Sequence, residues 1–463
     1  MTRNKIIAKL LIIALVTFGI GLLGDILGFN SRQALSLSIF CLSILGTIFF
    51  WEFRLAFAFL GTSILLISRT IDIENLILSS SLEVILFLIG MMVLIGLLKE
   101  AGLFAWITSL ILRVKTLNAR RFTIMISLVS ALFACAVDEV TSIIFMVAAI
   151  LEICDYFEVD PTPFIIMSVL STNIGSAGTV LGNPIGILIA TKAGLTFEDF
   201  IVKAFPVMIF SLFVATVLMF YIFRKDIKNL DKKMKELGAN DILIKLISVP
   251  PEKRLKKALL IFAVTLIFIS LHHRLEVLFG LEPNTVLLVV PLISAGMVMM
   301  WKYNSARKYI EQDVEWWTLL FFLLLFAQAG TLKYSGATGL IAQKITSIAG
   351  GSRNFLIGLM LWISAIGSSV LDNVVLVAAF IPVVQSFQGI NLEPLWWALL
   401  FGGCLGGNIT IVGSTANIVA AGILEKERNI KISFMRWLFV GLIVGVVTVS
   451  TVWACLIFLP IYK

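Results

Sequence analysis

Two short polar clusters break otherwise apolar stretches, and they hold the residues best able to do chemistry. Asp138–Glu139–Val140–Thr141 separates the apolar runs 122–137 and 143–157, and Asp372–Asn373–Val374 separates 354–371 from 374–388. A carboxylate in such a setting binds a cation or keeps a proton, because leaving it charged at the centre of a bilayer costs ~2.5–3.5 kcal/mol or more. Asp138 and Glu139 are neighbours, so mutual repulsion and removal from water favour one proton held between them.

Two further stretches complete the set. Ser171 to Thr179, which includes Asn173, is small, polar and poor in helix formers, and Gly182–Asn183–Pro184 follows it. Asn183 suits an N-cap and Pro184 the first helical position. The counterpart is Gly402 to Thr410, which includes Asn408, followed by Gly413–Ser414–Thr415–Ala416–Asn417. There Ser414 or Thr415 suits the cap. A half-helix that stops in a membrane presents carbonyls to a cation, and one that starts there presents N–H groups to an anion. The expected ion-binding residues are Asp138, Glu139, Thr141, Asn173, Thr179, Asn183, Asp372, Asn373, Asn408, Thr410, Ser414 and Asn417. Two plainer readings stand beside this one. Small residues also serve close helix packing, and Asp138 could simply cap the helix that begins at Glu139.

Other chemistries find little support. Cys41, Cys135, Cys154, Cys404 and Cys455 are scattered, and the only histidines, His272 and His273, have no Cys or carboxylate cluster around them. No disulfide framework or zinc site follows. No metal is expected beyond a Na⁺ at the residues above, no cofactor beyond a coupling H⁺ or Na⁺, and no enzymatic activity. An intramembrane aspartyl protease would carry a GxGD signature, which is absent.

The elements that must position these residues are membrane helices. Hydrophobic residues make up 59% of the 463, charged residues 14%, and mean hydropathy is +1.04, against roughly half apolar and a quarter charged for soluble domains. Eleven apolar segments read as crossings: 6–27, 35–50, 53–69, 83–98, 163–193, 203–223, 258–275, 284–301, 316–332, 394–424 and 437–460. The run 122–137 holds sixteen residues, about 24 Å of helix, short of a ~30 Å core. It and its return read as a re-entrant hairpin, 122–157, and 354–388 as a second. The net charge of +8 sits in short loops, where it reports topology and not nucleic-acid binding. The basic stretch 224–257 is expected to be a solvated cytoplasmic linker. The N-terminal run reads as a retained membrane helix, not a signal peptide. The expected protein is a multi-pass cell-membrane protein with a cytoplasmic N-terminus and an extracytoplasmic C-terminus.

An internal repeat ties the clusters together. A shift of 234 places Leu98–Lys99 on Leu332–Lys333, Gly102 on Gly336, Ser130–Ala131 on Ser364–Ala365 and Asp138 on Asp372. With an offset three residues shorter, Thr179–Val180–Leu181–Gly182 falls on Thr410–Ile411–Val412–Gly413. Residues 1–34 read as an extra helix, 35–223 as the first repeat and 258–463 as the second. Five crossings per repeat make the two inverted, the plan of transporters whose sites lie where broken helices meet. The expected fold is therefore all-α and polytopic, with about eleven transmembrane helices and two re-entrant hairpins.

The stretches VDEVTSIIFM…STNIGSAGTVLGNPIG and LDNVVLVAAFIPVV…WWALLFGGCLGGNITIVGSTANIVAAG resemble the ion transporter superfamily. They are most similar to the branch that holds ArsB-type arsenite permeases, NhaD-type sodium–proton antiporters and the melanosomal P protein, over roughly residues 35–460. The resemblance implies an elevator-like carrier, often a homodimer, in which hairpin tips and unwound helices bind ions. Dicarboxylate-carrying relatives have Ser-Asn-Thr tips, whereas this chain has Asp138–Glu139–Val140 and Asp372–Asn373–Val374. Glu139 also replaces the Asn expected of the nearer branch. Acidic tips imply a cation, a proton or a neutral solute. The expected function is secondary active Na⁺/H⁺-type exchange. Efflux of arsenite or another small oxyacid is the alternative, and a sodium-coupled organic anion carrier is disfavoured because no Arg or Lys stands near the site in sequence.

Overall fold

The computed structural model describes residues 3–26, 28–103, 106, 118–236, 253–350 and 352–462. In chain order the helices are α1 Arg3–Ile26, α2 Ser31–Phe49, α3 Arg54–Ile67, α4 Ile73–Ser79, α5 Leu82–Glu100, α6 Ala119–Ala136, α7 Glu139–Tyr156, α8 Thr162–Gly175 and α9 Pro184–Ala193. There follow α10 Phe197–Ile222, α11 Arg224–Glu236, α12 Lys253–Ser270, α13 His272–Phe279, α14 Thr285–Trp301, α15 Trp316–Tyr334, α16 Ala337–Ala349 and α17 Arg353–Val370. The last are α18 Asn373–Gln385, α19 Glu393–Gly406, α20 Thr415–Arg428 and α21 Phe434–Phe458. No strand occurs among the described residues.

Short polar side chains set the helix starts that matter. Asn118 accepts the Arg121 N–H at 2.8 Å and opens α6, Asp138 opens α7, Asn183 opens α9 and Ser414 opens α20. Each satisfies an orphan donor of a first turn. Both expected breaks in 163–193 and 394–424 are present, as the gaps between α8 and α9 and between α19 and α20.

Three expectations need correction. Because Asn118 starts α6 before the apolar run does, α6 has 18 residues, as does α17. Length alone does not separate these helices from full spans. The supposed solvated linker is in part a helix, α11, which buries Ile227, Leu230 and Met234 against α6. The remainder, 237–252, lies outside the described residues. The crossing expected at 258–275 bends by 62° between α12 and α13, where His272 is buried with Nδ1 2.9 Å from Ile269 O. Among the described residues seven helices match a full span by length and composition, or eight with the bent pair as one. Five apolar helices are shorter.

Packing divides the chain into a framework and a site-bearing unit. In the framework, α5 lies on α14, and α15 lies on α2, α3 and α4. In the unit, the α6–α7 hairpin packs on α8, the α17–α18 hairpin on α19, and α20 on α7. The two meet where α15 touches α18 and α5 touches α9. Glycine makes the closest approaches. A Cβ on Gly175 would stand 2.2 Å from Ala131 O, and one on Gly406 2.2 Å from Ala365 O. These contacts pair repeat-related positions in both halves.

Candidate functional site

The two hairpin tips meet each other. Asn373 Nδ2 donates to Glu139 Oε1 at 3.1 Å and to Oε2 at 3.3 Å. Glu139 is 3% exposed, and Ser414 Oγ lies 3.5 Å from its Oε1. Asp138 accepts the Thr141 N–H at 2.8 Å, so the capping role anticipated for it is real. Asp372 caps α18 through the Val374 N–H at 3.0 Å and accepts Thr415 Oγ1 at 2.7 Å.

Behind the tips lies a buried amide network. Asn173 donates to Asn408 Oδ1 at 2.9 Å and Asn417 Oδ1 at 2.8 Å, and accepts Ser414 Oγ at 3.1 Å. Asn417 ties back to the carbonyls of Gly407 and Thr410 in the unwound stretch. Asn183 accepts the Gly186 N–H at 2.9 Å and donates to Ser176 Oγ at 2.9 Å. Networks so fully satisfied hold their members in one geometry.

Thr179 and Thr410 do something else. Thr179 Oγ1 donates to Cys135 O and Thr410 Oγ1 to Ser369 O. Each fastens an unwound stretch to the hairpin of its own half, and neither lines the cavity.

A cavity of about 240 Å³ opens onto the first tip. Asp138, Glu139, Thr141, Asn183 and Thr415 line one wall, and Asp313, Glu315, Thr318 and Phe322 line the other. Lys99 also lines it and pairs with Asp313 at 3.4 Å. Among the described residues, no basic nitrogen lies within 4.0 Å of Asp138, Glu139, Glu315 or Asp372. These four carboxylates therefore have no close cation among the described residues, and the starts of α9 and α20, at Asn183 and Thr415, also line the cavity.

A second cavity, about 530 Å³, lies further along the same elements. On α15, Thr318 and Phe322 line the first cavity and Phe326, Gly330 and Lys333 the second, at the three- and four-residue spacing of one helix face. α9 and α18 likewise contribute to both, through Pro184 and Leu188 and through Val374 and Ala378. Between the cavities, Phe322 and Phe326 stack with centroids 6.0 Å apart. Lys99 and Lys333, equivalent in the repeat, line one cavity each.

The sequence reading missed Glu315, Thr318 and Arg54, and did not place Thr415 at the site. Arg54 is 7% exposed and donates to Thr318 Oγ1 at 3.2 Å. With Lys99 it corrects the expectation that no Arg or Lys stands near. Thr415 had a signal, its place beside the cap. Arg54 had none, since a charge at the head of an apolar run reads as a loop charge.

Comparison with known proteins agrees with this architecture. The citrate transporter family matches residues 44–402. An uncharacterized transporter of Mycobacterium tuberculosis is 31% identical over 381 residues, covering 79% of this chain and 83% of its own length. An uncharacterized transporter of Synechocystis is 25% identical over 408 residues, 83% and 88% of the two chains. The human P protein is 28% identical over 449 residues, 81% of this chain and 53% of its own. With buried hairpin tips, broken helices and a family match over most of its length, this multi-pass membrane protein belongs to the citrate transporter family of the ion transporter superfamily and is a transporter.

Proposed function

We propose that the chain exchanges a monovalent cation for protons, Na⁺/H⁺ fashion, by alternating access, as an inverted repeat with its sites at the two hairpin tips. The observation that carries this reading is Glu139. It is buried, hydrogen-bonded through Asn373, and among the described residues has no basic group within 4.0 Å. A carboxylate so placed is stable only when it takes up a proton or a cation. Competition between the two for Glu139 and Asp138 gives exchange with no further parts. Two cavities along one face of α15, parted by an aromatic stack, support alternate opening to either side. The basic loops favour a cytoplasmic N-terminus.

The test is flux in proteoliposomes. Wild type is expected to dissipate a pH gradient on addition of Na⁺ or Li⁺, and Asp138→Asn and Asp372→Asn to lose this. Full activity in both variants would remove the tips from the mechanism.

A second reading rests on the starts of α9 and α20 at the cavity wall. Helix N-termini receive anions, which suits efflux of arsenite or a similar small oxyacid. Arsenite-driven flux without cation dependence would favour it. An organic dianion fits less well, because Asp138, Glu139 and Glu315 would oppose it.

A further inference from the structure

Two stripes of side chains continue from α10 into α11. Leu212, Ala215 and Met219 are buried along α10, Phe223 is buried at the junction, and Ile227, Leu230 and Met234 carry the series along α11. Phe210, Phe213, Val217 and Tyr221 are exposed along α10, and Arg224 and Lys228 follow them. Steps of three and four residues keep each series on one helix face. The backbone supports this continuity, since the Phe223 N–H bonds to Met219 O at 2.9 Å and the Ile227 N–H to Phe223 O at 3.0 Å. An exposed apolar face on a membrane helix meets acyl chains, and tyrosine settles at headgroup level. One turn beyond Tyr221 the same face becomes cationic.

Arg224, Lys228, Lys232 and Lys235 share that face of α11, with Lys225 beside them, and all five are exposed. Lys235 pairs with Asp231 at 2.7 Å and Lys232 with Glu236 at 3.6 Å. Among the described residues no carboxylate oxygen lies within 4.0 Å of Arg224, Lys225 or Lys228. Three contacts hold α11 at the ends of membrane-embedded elements. It leaves the end of α10, it packs on α6, and Lys233 reaches Glu158, between α7 and α8, at 3.8 Å. A cationic stripe at that level meets the phosphates of lipid headgroups, and clusters of this kind bind anionic lipid.

We propose that the Arg224–Lys225–Lys228 face of α11, extended by Lys232 and Lys235, binds anionic phospholipid headgroups in the leaflet at this end of α10. The occupant is a lipid and not a free phosphate, because the cations prolong a stripe that meets acyl chains. α11 packs on α6, the first arm of the Asp138–Glu139 hairpin, so bound lipid steadies that hairpin from outside the cavity. The inference holds whichever ion the chain carries.

The experiment uses the full chain purified in detergent, with its thermal unfolding midpoint followed as phosphatidylglycerol or phosphatidylcholine is added to the micelles. Phosphatidylglycerol is expected to raise the wild-type midpoint, as binding to the folded state requires, and phosphatidylcholine to leave it unchanged. The rise should fade in about 1 M NaCl, where screening is complete within about 3 Å. The triple variant Arg224→Gln, Lys225→Gln, Lys228→Gln is expected to need at least about tenfold more phosphatidylglycerol for half the rise. Lys253→Gln, Lys256→Gln, Lys257→Gln removes equal charge from the start of α12 and should keep the wild-type dependence. All six side chains are exposed, so both variants are expected to fold, and Arg224→Lys should titrate as wild type. A wild-type midpoint that ignores phosphatidylglycerol, equal loss in the two triple variants, or an equal rise with inorganic phosphate at matched ionic strength overturns the proposal.

Discussion

Glu139 and Asn373 hold the same position in the two halves of the chain, and they hydrogen-bond to each other at 3.1 Å. The one difference between the halves at this position is what makes the contact favourable. Two glutamates here would repel, and two asparagines would hold neither a proton nor a cation.

Glu139→Gln keeps the shape and loses the charge. Cation-driven dissipation of a pH gradient in proteoliposomes is expected to fall at least about tenfold, the factor that 1.4 kcal/mol of lost binding gives. Asn373→Asp errs the other way. It removes the donor and sets a like charge beside Glu139, which should destabilise the protein by about 1–3 kcal/mol in thermal unfolding. Wild-type flux in Glu139→Gln would move the ion elsewhere.

Gly175→Ala and Gly406→Ala place a methyl 2.2 Å from a backbone carbonyl. Backbone cannot yield as a side chain tip does, so each is expected to cost about 1–3 kcal/mol and to lower the unfolding midpoint. Gly422→Ala is the contrast. Its Cβ meets nothing within 4 Å inside α20, and helix propensity favours alanine by roughly 1 kcal/mol. Equal effects at the three positions would refute the close-packing argument.

Phe322 and Phe326 separate the two cavities. Phe322→Ala, with Phe326→Ala beside it, is expected to let protons leak across proteoliposomes with no cation added, several times faster than wild type. Tight vesicles with unaltered exchange would show that the barrier lies elsewhere.

Asp72 gives a pH signature away from the candidate site. It caps α4 and accepts the Tyr334 hydroxyl at 3.1 Å. The Asn75 backbone N–H, and then its side-chain amide, hold the Asp72 carboxyl below its ordinary value. A depressed folded value means that the contribution is complete above the unfolded value of about 3.9 and fades as pH falls through the lower folded one. Asp72→Asn still caps but does not titrate. The gap between wild-type and variant unfolding midpoints should therefore close on acidification below about pH 4. A constant gap would contradict this.

Much of the scaffold was legible because its causes are local. Asn183 before Pro184, Ser414 before α20 and Asp138 before α7 announce helix starts through chemistry within four residues. The repeat offset announced that the two tips correspond. It could not announce that they touch, because Glu139 and Asn373 are brought together only by packing α7 on α8 and α18 on α19. The framework wall was hidden for the same reason. Arg54 and Thr318 are 264 positions apart, and neither sits in a motif. Thr179 and Thr410 were placed correctly at the unwound stretches, but their hydroxyls are spent on hairpin carbonyls. The α11 helix was overlooked because its three buried residues are diluted by lysines.

Those two threonine clasps bear on how an occupant is carried. Each binds an unwound segment to the hairpin beside it, so neither can loosen alone, and under the alternating-access reading proposed above the cage would keep its ligands as either side opens. On that reading a passenger would meet the same surroundings from either leaflet. Its half-saturating concentration should be the same whichever compartment supplies it, leaving the direction of net movement to the gradients alone.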